Sequence, residues 1–571
     1  MKIRRLKVSR FRGIKELEWN LGGSTACLIG PGDSTKSTIL SAIEYCLYPG
    51  WGLQILDTDF FDQDVSAPIE ISIVVGDLAS SIISDDELGM ALKGYDQDAG
   101  ILEDEPGDGL ERVVEIHFRV SGDLDPEWFM LQAGSGEKRP LGSKRRLFKV
   151  VRLTERVDSD LGWTRNSALS RLTMKQSGTS SHIPEVYRAA NAEFDGADID
   201  AFKTAASEVE SSVRDFGIEM DNLIPGLLQS SFLARGGAIG LYQGKIPLLQ
   251  KGLGTKRLVA LAMQMKAVTD HAIVLVDEIE TGLEPFRIEA VLRNLGCFEE
   301  QKPNQLIFTT HSPTPLIKLD AESLYFVRSA NGKIDVRGLP RPVASEFRSM
   351  IRKCGVALFA KKIVVGEGPT EFGLIRGFFA ADSRSNEHGL MFFGADVVPG
   401  GGSDAPKVAL LMRKLGYGVF LLADSDRPIS PNKATLIAAG VSVHLWADNV
   451  ATESRLFADL PNGATGEMLA YAVAIHGIHG IAHQLSDVAA GEARFDASIA
   501  KLIATPQPSS FDSTDRELLG KAACSKYGWF KNVDGGEFLG DLLARNFNQI
   551  AGTPTRQGLD ELISWLAEVS P

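Results

Sequence analysis

Two pairs of carboxylates in the second half of the chain stand where acids do chemistry. In KKIVVGEGPTEFGLIRGFF, Glu367 closes an apolar run that reads as a strand, and Glu371 follows about one helical turn later, so both can face one point. In YGVFLLADSDRP, Asp424 and Asp426 end a second apolar run, and on extended backbone residues two apart point the same way. Like charges gathered in this way cost stability unless cations bind between them. An all-oxygen set suits Mg²⁺ or Mn²⁺ rather than zinc. Between the pairs, ADVVPGGGSDAPKVALLMRKLG reads as a glycine-rich turn into a helix, with Ser403 and Asp404 at its start, where a serine either caps the helix or meets a substrate phosphate.

A second set lies in the first half. GPGDSTKST, Gly30 to Thr38, sits between the strand-like STACLIG and the helical STILSAIEYCLY, whose Ile39, Leu40, Ile43 and Leu47 share a face. Backbone N–H groups of such a turn, together with the helix N-terminus, hold phosphates, Lys36 neutralises them, and the Ser37 hydroxyl helps to bind Mg²⁺. Thr35 stands where glycine is usual, and threonine there is tolerated or even favoured as a helix-start cap, provided its φ is negative and its Cβ clears the phosphates. Asp33 should repel a nucleotide unless it faces water or metal. Further on, HAIVLVDEIETGLEP ends a strand in Asp277 and Glu278, a metal-holding acid followed by a candidate base, and QLIFTTHSPTPL ends another at His311, placed to sense a terminal phosphate. In PLLQKGLGTKRLVALAMQM, Gly252 and Gly254 open a helix.

The elements that position these residues follow from the wider pattern. At 571 residues the chain exceeds one ordinary domain. Its 44% hydrophobic and 23% charged residues suit a globular protein; no run of about 18 apolar residues offers a membrane span, and MKIRRLKVSRFRG lacks the apolar core of a secretory leader, so a cytoplasmic location is expected. Five scattered cysteines, Cys27, Cys46, Cys297, Cys354 and Cys524, never in C-x-x-C, support neither a disulfide framework nor zinc. The net charge of −14 argues against a chain coated in positive charge. Two basic patches, the N-terminal segment and EKRPLGSKRRLFKVVRLTER at 137–156, are open between solvated faces and DNA-facing ones. Residues 184–235 show helical periodicity and few strand signals, and SEFRSMIRKCGVALFA reads as a connecting helix.

In their order, the phosphate loop, the glycine-opened helix, the strand-end acids and the strand-end histidine resemble an ABC-type ATPase of the RecF and SMC kind, as does the start LKVSRFRGI. The resemblance implies ATP bound with Mg²⁺ by Gly30, Gly32, Thr35, Lys36, Ser37 and Thr38 of Walker A. Asp277 and Glu278 would form Walker B, Gly252 to Lys256 with Gly254 the signature, TGLEP the D-loop and His311 the switch. It implies two heads sandwiching ATP, hence a homodimer or higher oligomer. The signature GLGTK lacks the serine-glycine-glycine of transporters; Gln63 is the choice for the Q-loop, and Phe11 and Arg12 sit where this class often meets nucleotide. The G-E-G-x-x-E segment, the Gly-rich turn and the D-x-D strand resemble a Toprim domain. Zinc-ribbon cysteines of primases are absent, and no tyrosine-bearing topoisomerase cleavage domain can be picked out.

An ABC ATPase followed by Toprim resembles the OLD (overcoming lysogenisation defect) family of nucleases. In that family further acids and a late lysine complete the site, which points here to Glu453, with Asp448 as second choice, and to Lys531. The expected fold is α/β: an ABC-type ATPase head over 1–340 with a short helical dimerisation insertion at about 165–240, a connecting helix over 341–360, and a Toprim domain with parallel sheet and C-terminal helices over 361–571. The expected activity is ATP-regulated cleavage of DNA in antiphage defence, with a regulatory partner possible. Glu367, Glu371, Asp424, Asp426 and Glu453 would hold one or two Mg²⁺ or Mn²⁺ ions and Lys531 would add positive charge. The rival readings are an ATP-gated DNA clamp without nuclease activity and a topoisomerase-like enzyme. ATP turnover is expected to be slow.

Overall fold

The computed structural model describes residues 1–50, 52–84, 86–153, 161–162, 167, 169, 172, 200–214, 223–228, 238–267, 271–299, 304–339, 344–381, 389–489, 492–504 and 510–568. They divide into two compact units, Met1–Arg348 and Ser349–Pro571. The chain passes from one to the other within the helix Ala344–Cys354.

In the first unit the strands Val150–Leu153, Ile273–Val276, Gln305–Thr309, Thr25–Ile29 and Leu324–Ala330 lie side by side in that order, all parallel. The middle three are buried along their whole length, which is why they read as unbroken apolar runs. The sheet continues through Lys333–Gly338 and Ile14–Asn20 into antiparallel strands including Lys2–Phe11, Ile69–Gly76 and Glu111–Val120. A register shift between Ile3 and Arg5 lets Ile3, Leu6 and Val8 all turn inward despite their uneven spacing. Because the central strands are parallel, their C-terminal ends line up at one edge, where open α/β sheets bind ligands.

The expectation of an all-helical stretch at 184–235 needs correction. A helix does run over Asp200–Arg214, but Leu223–Leu228 is a strand paired with Ala238–Gln243, which pairs in turn with Ile246–Pro247. Pro225 and Gly226 disfavour a helix interior, and the strand is fixed by a partner beyond the periodicity window. Apart from residues 167, 169 and 172, the rest of the 165–240 insertion lies outside the described residues.

The second unit is built on a parallel sheet in the order Ala395–Pro399, Lys362–Gly366, Gly418–Ala423, Ser442–Leu445. Sequence neighbours leave Lys362–Gly366 on opposite sides, so a crevice opens beyond its C-terminal end. The helix after this strand, Pro369–Ala381, packs backbone to backbone on Val533–Asn546. A Cβ on Gly377 would lie 2.2 Å from Glu537 O, and one on Gly540 would lie 2.2 Å from Leu374 O. Gly373 and Gly536 meet the same restriction, so the close approach needs glycine on both helices. Lys362 Nζ caps the last helix, Pro554–Ala567, through Trp565 O at 3.0 Å and Leu566 O at 2.9 Å.

Candidate functional site

In the first unit the loop after Thr25–Ile29 wraps around Lys36, whose Nζ donates to Gly30 O at 3.0 Å, Pro31 O at 2.7 Å and Ser34 Oγ at 3.0 Å. Burial, and then the nearby Arg328, push its pKa down to about 8. Gly30 is sterically required, because a Cβ would lie 2.5 Å from Val327 O, whereas Gly32 faces open space. Thr38 is half-buried on the helix Lys36–Cys46. Ser37 Oγ donates to Asp277 Oδ1 at 2.9 Å, joining the loop to the first acid, and Thr309 Oγ1 donates to the same oxygen at 2.7 Å. Thr309 also accepts from Glu278 N at 2.8 Å, so one hydroxyl sets both acids. Exposed His311 stands at the end of its strand, its N–H donating to Glu280. A Cβ on Gly254 would lie 2.4 Å from Gly282 O, which presses the GLGTK turn onto TGLEP, and Arg257 of the same helix donates to Asp277 O and Glu278 O at 3.0 and 2.7 Å.

Thr35 does not meet the condition of a negative φ. Its φ is +64° and ψ 15°, with no capping bond from its side chain. The position demands the left-handed conformation that a glycine supplies freely, and a β-branched residue there is strained by about 1–2 kcal/mol. Its methyl group packs toward Gly13, where a Cβ would meet Thr35 Cγ2 at 3.0 Å. Asp33 is also left-handed, at φ +57°, but exposed to water. Thr35→Gly is therefore expected to stabilise the unit by about 0.5–1 kcal/mol, read as a higher Tm, without loss of nucleotide affinity; a lower Tm would show that the methyl contact outweighs the strain.

Gln63 stands exposed on a 3-10 turn and makes no bond to Lys36, Ser37 or Asp277. The charged side chain that reaches Asp277 from the neighbouring strand Val150–Leu153 is Arg152, read in the sequence only as part of a basic patch. Much of both patches is internally matched. Arg4 pairs with Glu111, Arg5 with Glu115, Arg10 with Asp64 and Arg12 with Asp59, while buried Arg145 lies over the Trp128 ring at 4.0 Å. Phe11 is buried, and Arg12 lies over its ring at 5.0 Å.

In the second unit the crevice gathers four acids from three adjacent strand ends. Glu367 follows Lys362–Gly366, and its Oε2 accepts from Asp424 N at 2.8 Å; Asp424 follows Gly418–Ala423. Glu371 and Glu453 lie in the first turns of the helices Pro369–Ala381 and Thr452–Asp459, both buried. Glu371 accepts from Gly368 N at 2.7 Å, Asp424 Oδ1 from both N and Oγ1 of Thr452 at 2.8 Å, and Glu453 Oε1 from Thr370 Oγ1 at 3.3 Å. Burial first, and then Glu453, raise the Glu371 carboxyl to about 7; burial and then Glu371, with Glu453 and Glu367, raise Asp424 to about 8. Glu453 is raised by burial and partly relieved by Lys531, whose Nζ donates to Cys524 O at 3.0 Å.

Asp426 departs from the expected pairing with Asp424. The strand stops at Ala423, so strict alternation ends before the second acid, which is exposed beside Arg427. Asp448 is turned onto Arg455 at 2.8 Å. Ser403 and Asp404 form a short 3-10 turn; Gly402 N donates to Glu367 O at 2.7 Å, and Asp404 bonds Lys407. Among the described residues no three His, Cys, Asp or Glu stand in metal-holding geometry, because the acids are turned onto amides and hydroxyls.

Both raised acids hold protons to higher pH folded than unfolded. Their contribution to stability is complete below the ordinary carboxyl range and is lost as pH rises through about 7 to 8. A divalent ion bound there removes the penalty, so Mg²⁺ or Mn²⁺ is expected to raise the Tm over an EDTA control by several degrees at pH 8 and far less at pH 5.5. An equal gain at both pH values would contradict a metal held by these acids.

Two family models match the chain. One, described as an AAA domain, putative AbiEii toxin, Type IV TA system, covers residues 164–316; the other, described as an overcoming lysogenization defect protein-like TOPRIM domain, covers 358–426. No curated protein matches. Among solved structures, an SmcHead bound to the C-winged helix domain of ScpA is 16% identical with TM-score 0.39, covering 60% of this chain and 99% of its own. The SMC head domain from Thermotoga maritima is 13% identical with TM-score 0.31, covering 60% and 100%. No helix among the described residues is long and apolar enough to cross a membrane. With the phosphate loop and acids of the first unit and the parallel sheet of the second on view, the chain has the architecture of an N-terminal ATPase domain followed by an OLD-like TOPRIM domain.

Proposed function

We propose that the second unit hydrolyses DNA phosphodiester bonds with a divalent metal, and that ATP bound by the first unit regulates it. The observation that carries this reading is the gathering of Glu367, Glu371, Asp424 and Glu453 in one crevice, where burial and mutual repulsion raise the pKa of Glu371 and Asp424. The donors are all oxygen, which fits Mg²⁺ or Mn²⁺. Turned from their present amide and hydroxyl partners, these four residues would hold the ion, which supplies an activated water and charge stabilisation at the phosphate. Thr452 fixes Asp424, Thr370 orients Glu453, and Lys531 adds positive charge beside the acids. Asp426, exposed at the rim, is left out of the proposed set.

In the first unit Lys36, Ser37 and the loop's N–H groups would hold the phosphates of ATP, with Asp277 on the Mg²⁺ side, Glu278 as base and His311 near the terminal phosphate. Lys36 must leave its three loop partners to do so. Closure of two heads around ATP, with the helix bearing Gly254 facing a second copy, is the regulatory step we favour. One matched family is named for a lysogenisation defect and the other for a putative toxin, names that support antiphage defence as the setting.

The test is supercoiled plasmid incubated with the full chain in Mg²⁺ or Mn²⁺, with and without ATP. Nicked or linear product is expected. Retardation without cutting would favour an ATP-gated clamp; closed relaxed circles with protein-linked ends would favour strand passage.

A further inference from the structure

Strand Val150–Leu153, parallel to Ile273–Val276, brings a permanent cation into the nucleotide site. Arg152 Nη2 donates to Asp277 Oδ2 at 2.8 Å, while Nη1 donates to Ser41 Oγ and Glu44 Oε2, each at 2.9 Å. The other Asp277 oxygen accepts from Ser37 Oγ at 2.9 Å and Thr309 Oγ1 at 2.7 Å. Both oxygens of the acid are thus engaged, one of them by a guanidinium that stays charged at any working pH. The Arg152 and Asp277 side chains are 17% and 16% exposed, so water screens the pair less than it would a surface pair.

We propose that Arg152 is a resident cation of the nucleotide site, a positioning residue that holds Asp277 and competes for it with the divalent ion that accompanies a nucleoside triphosphate. The proposal rests on the ATP-binding reading of the Gly30–Thr38 loop. Two consequences follow from the charge. With Arg152 paired to Asp277 and Glu44, these acids repel a triphosphate less than they would alone, so a triphosphate binds measurably in EDTA. The ion, for its part, must draw Asp277 and Ser37 away from existing partners, so the Mg²⁺ concentration needed for the bound metal–nucleotide state is set high.

The experiment follows a fluorescent ATP analogue by polarisation on the full chain, across a Mg²⁺ series and in EDTA. Arg152→Met is expected to lower the Mg²⁺ midpoint about tenfold, the scale of removing one close, partly buried charge, and to weaken binding in EDTA. Arg152→Lys restores the midpoint toward wild type. Glu44→Gln leaves Asp277 as the carboxylate partner of Arg152 and is expected to move the midpoint upward, opposite to Arg152→Met. A merely structural arginine would shift all variants the same way or leave the midpoint untouched with binding intact; either result overturns the proposal and spares the ATP reading. Wild type that binds no nucleotide at any Mg²⁺ concentration sinks both.

Discussion

Asp424→Ala protein is expected to cut supercoiled plasmid about 10²–10³-fold more slowly than wild type, the scale of losing one preorganised charge-stabilising group. Its metal-free form should also melt higher than wild type at pH 8. The two signs come from the same arrangement. Asp424 is pressed by burial and by Glu371, Glu453 and Glu367. Its removal forfeits two bonds from Thr452, worth about 1 kcal/mol each, but relieves a like-charge cluster whose cost is several times that. A site kept for chemistry loses activity and gains stability; a structural network loses both. Plasmid cleavage and a melt in EDTA, run on one preparation, read both signs. Cleavage at the wild-type rate would remove the nuclease reading.

The second large effect is on stability. Gly540→Ala is expected to destabilise the second unit by about 3 kcal/mol, a Tm loss of roughly 6–12 °C, because its Cβ would lie 2.2 Å from Leu374 O and 2.4 Å from Phe378 N. Both obstacles are backbone, so the helices must part rather than a side chain turn. Their separation would move Pro369–Ala381, which carries Thr370 and Glu371, away from Val533–Asn546 and the Lys531 segment before it. Nuclease activity should fall with the melt. Gly463→Ala, on a helix with nothing within 4 Å of the added atom, is the control and should be neutral or slightly stabilising. A Gly540→Ala protein that melts with wild type would show that the helices stand further apart than described.

Much of the scaffold could be read from the chain. Parallel strands buried on both faces leave continuous apolar runs, so AIVLV, LIFTT and KIVVG each mark a strand and the polar residue that ends it. Ends of such strands collect at one edge, which makes Asp277, His311, Glu367 and Asp424 candidates before any coordinate is known. Where side-chain identity depends on a distant partner, the pattern fails. Leu223–Leu228 has helical spacing yet pairs with Ala238–Gln243. The basic run holding Arg145 and Arg152 reads as surface charge, yet one arginine lies over Trp128 and the other on Asp277.

The chain alone shows the residue types, their order and the strand ends that carry them, because local periodicity and strand-end position are one-dimensional properties. It also carried the odd letter at Thr35, though not its strain, since φ is set by the loop's closure around Lys36. Three-dimensional packing set which acids share a crevice. It placed Glu453 with Glu367, Glu371 and Asp424, left Asp426 in solvent once the strand had ended, and brought Arg152 across from a separate strand to Asp277. Those outcomes depend on sheet order and helix docking, which join residues 28 to 125 positions apart and leave no local trace in the chain.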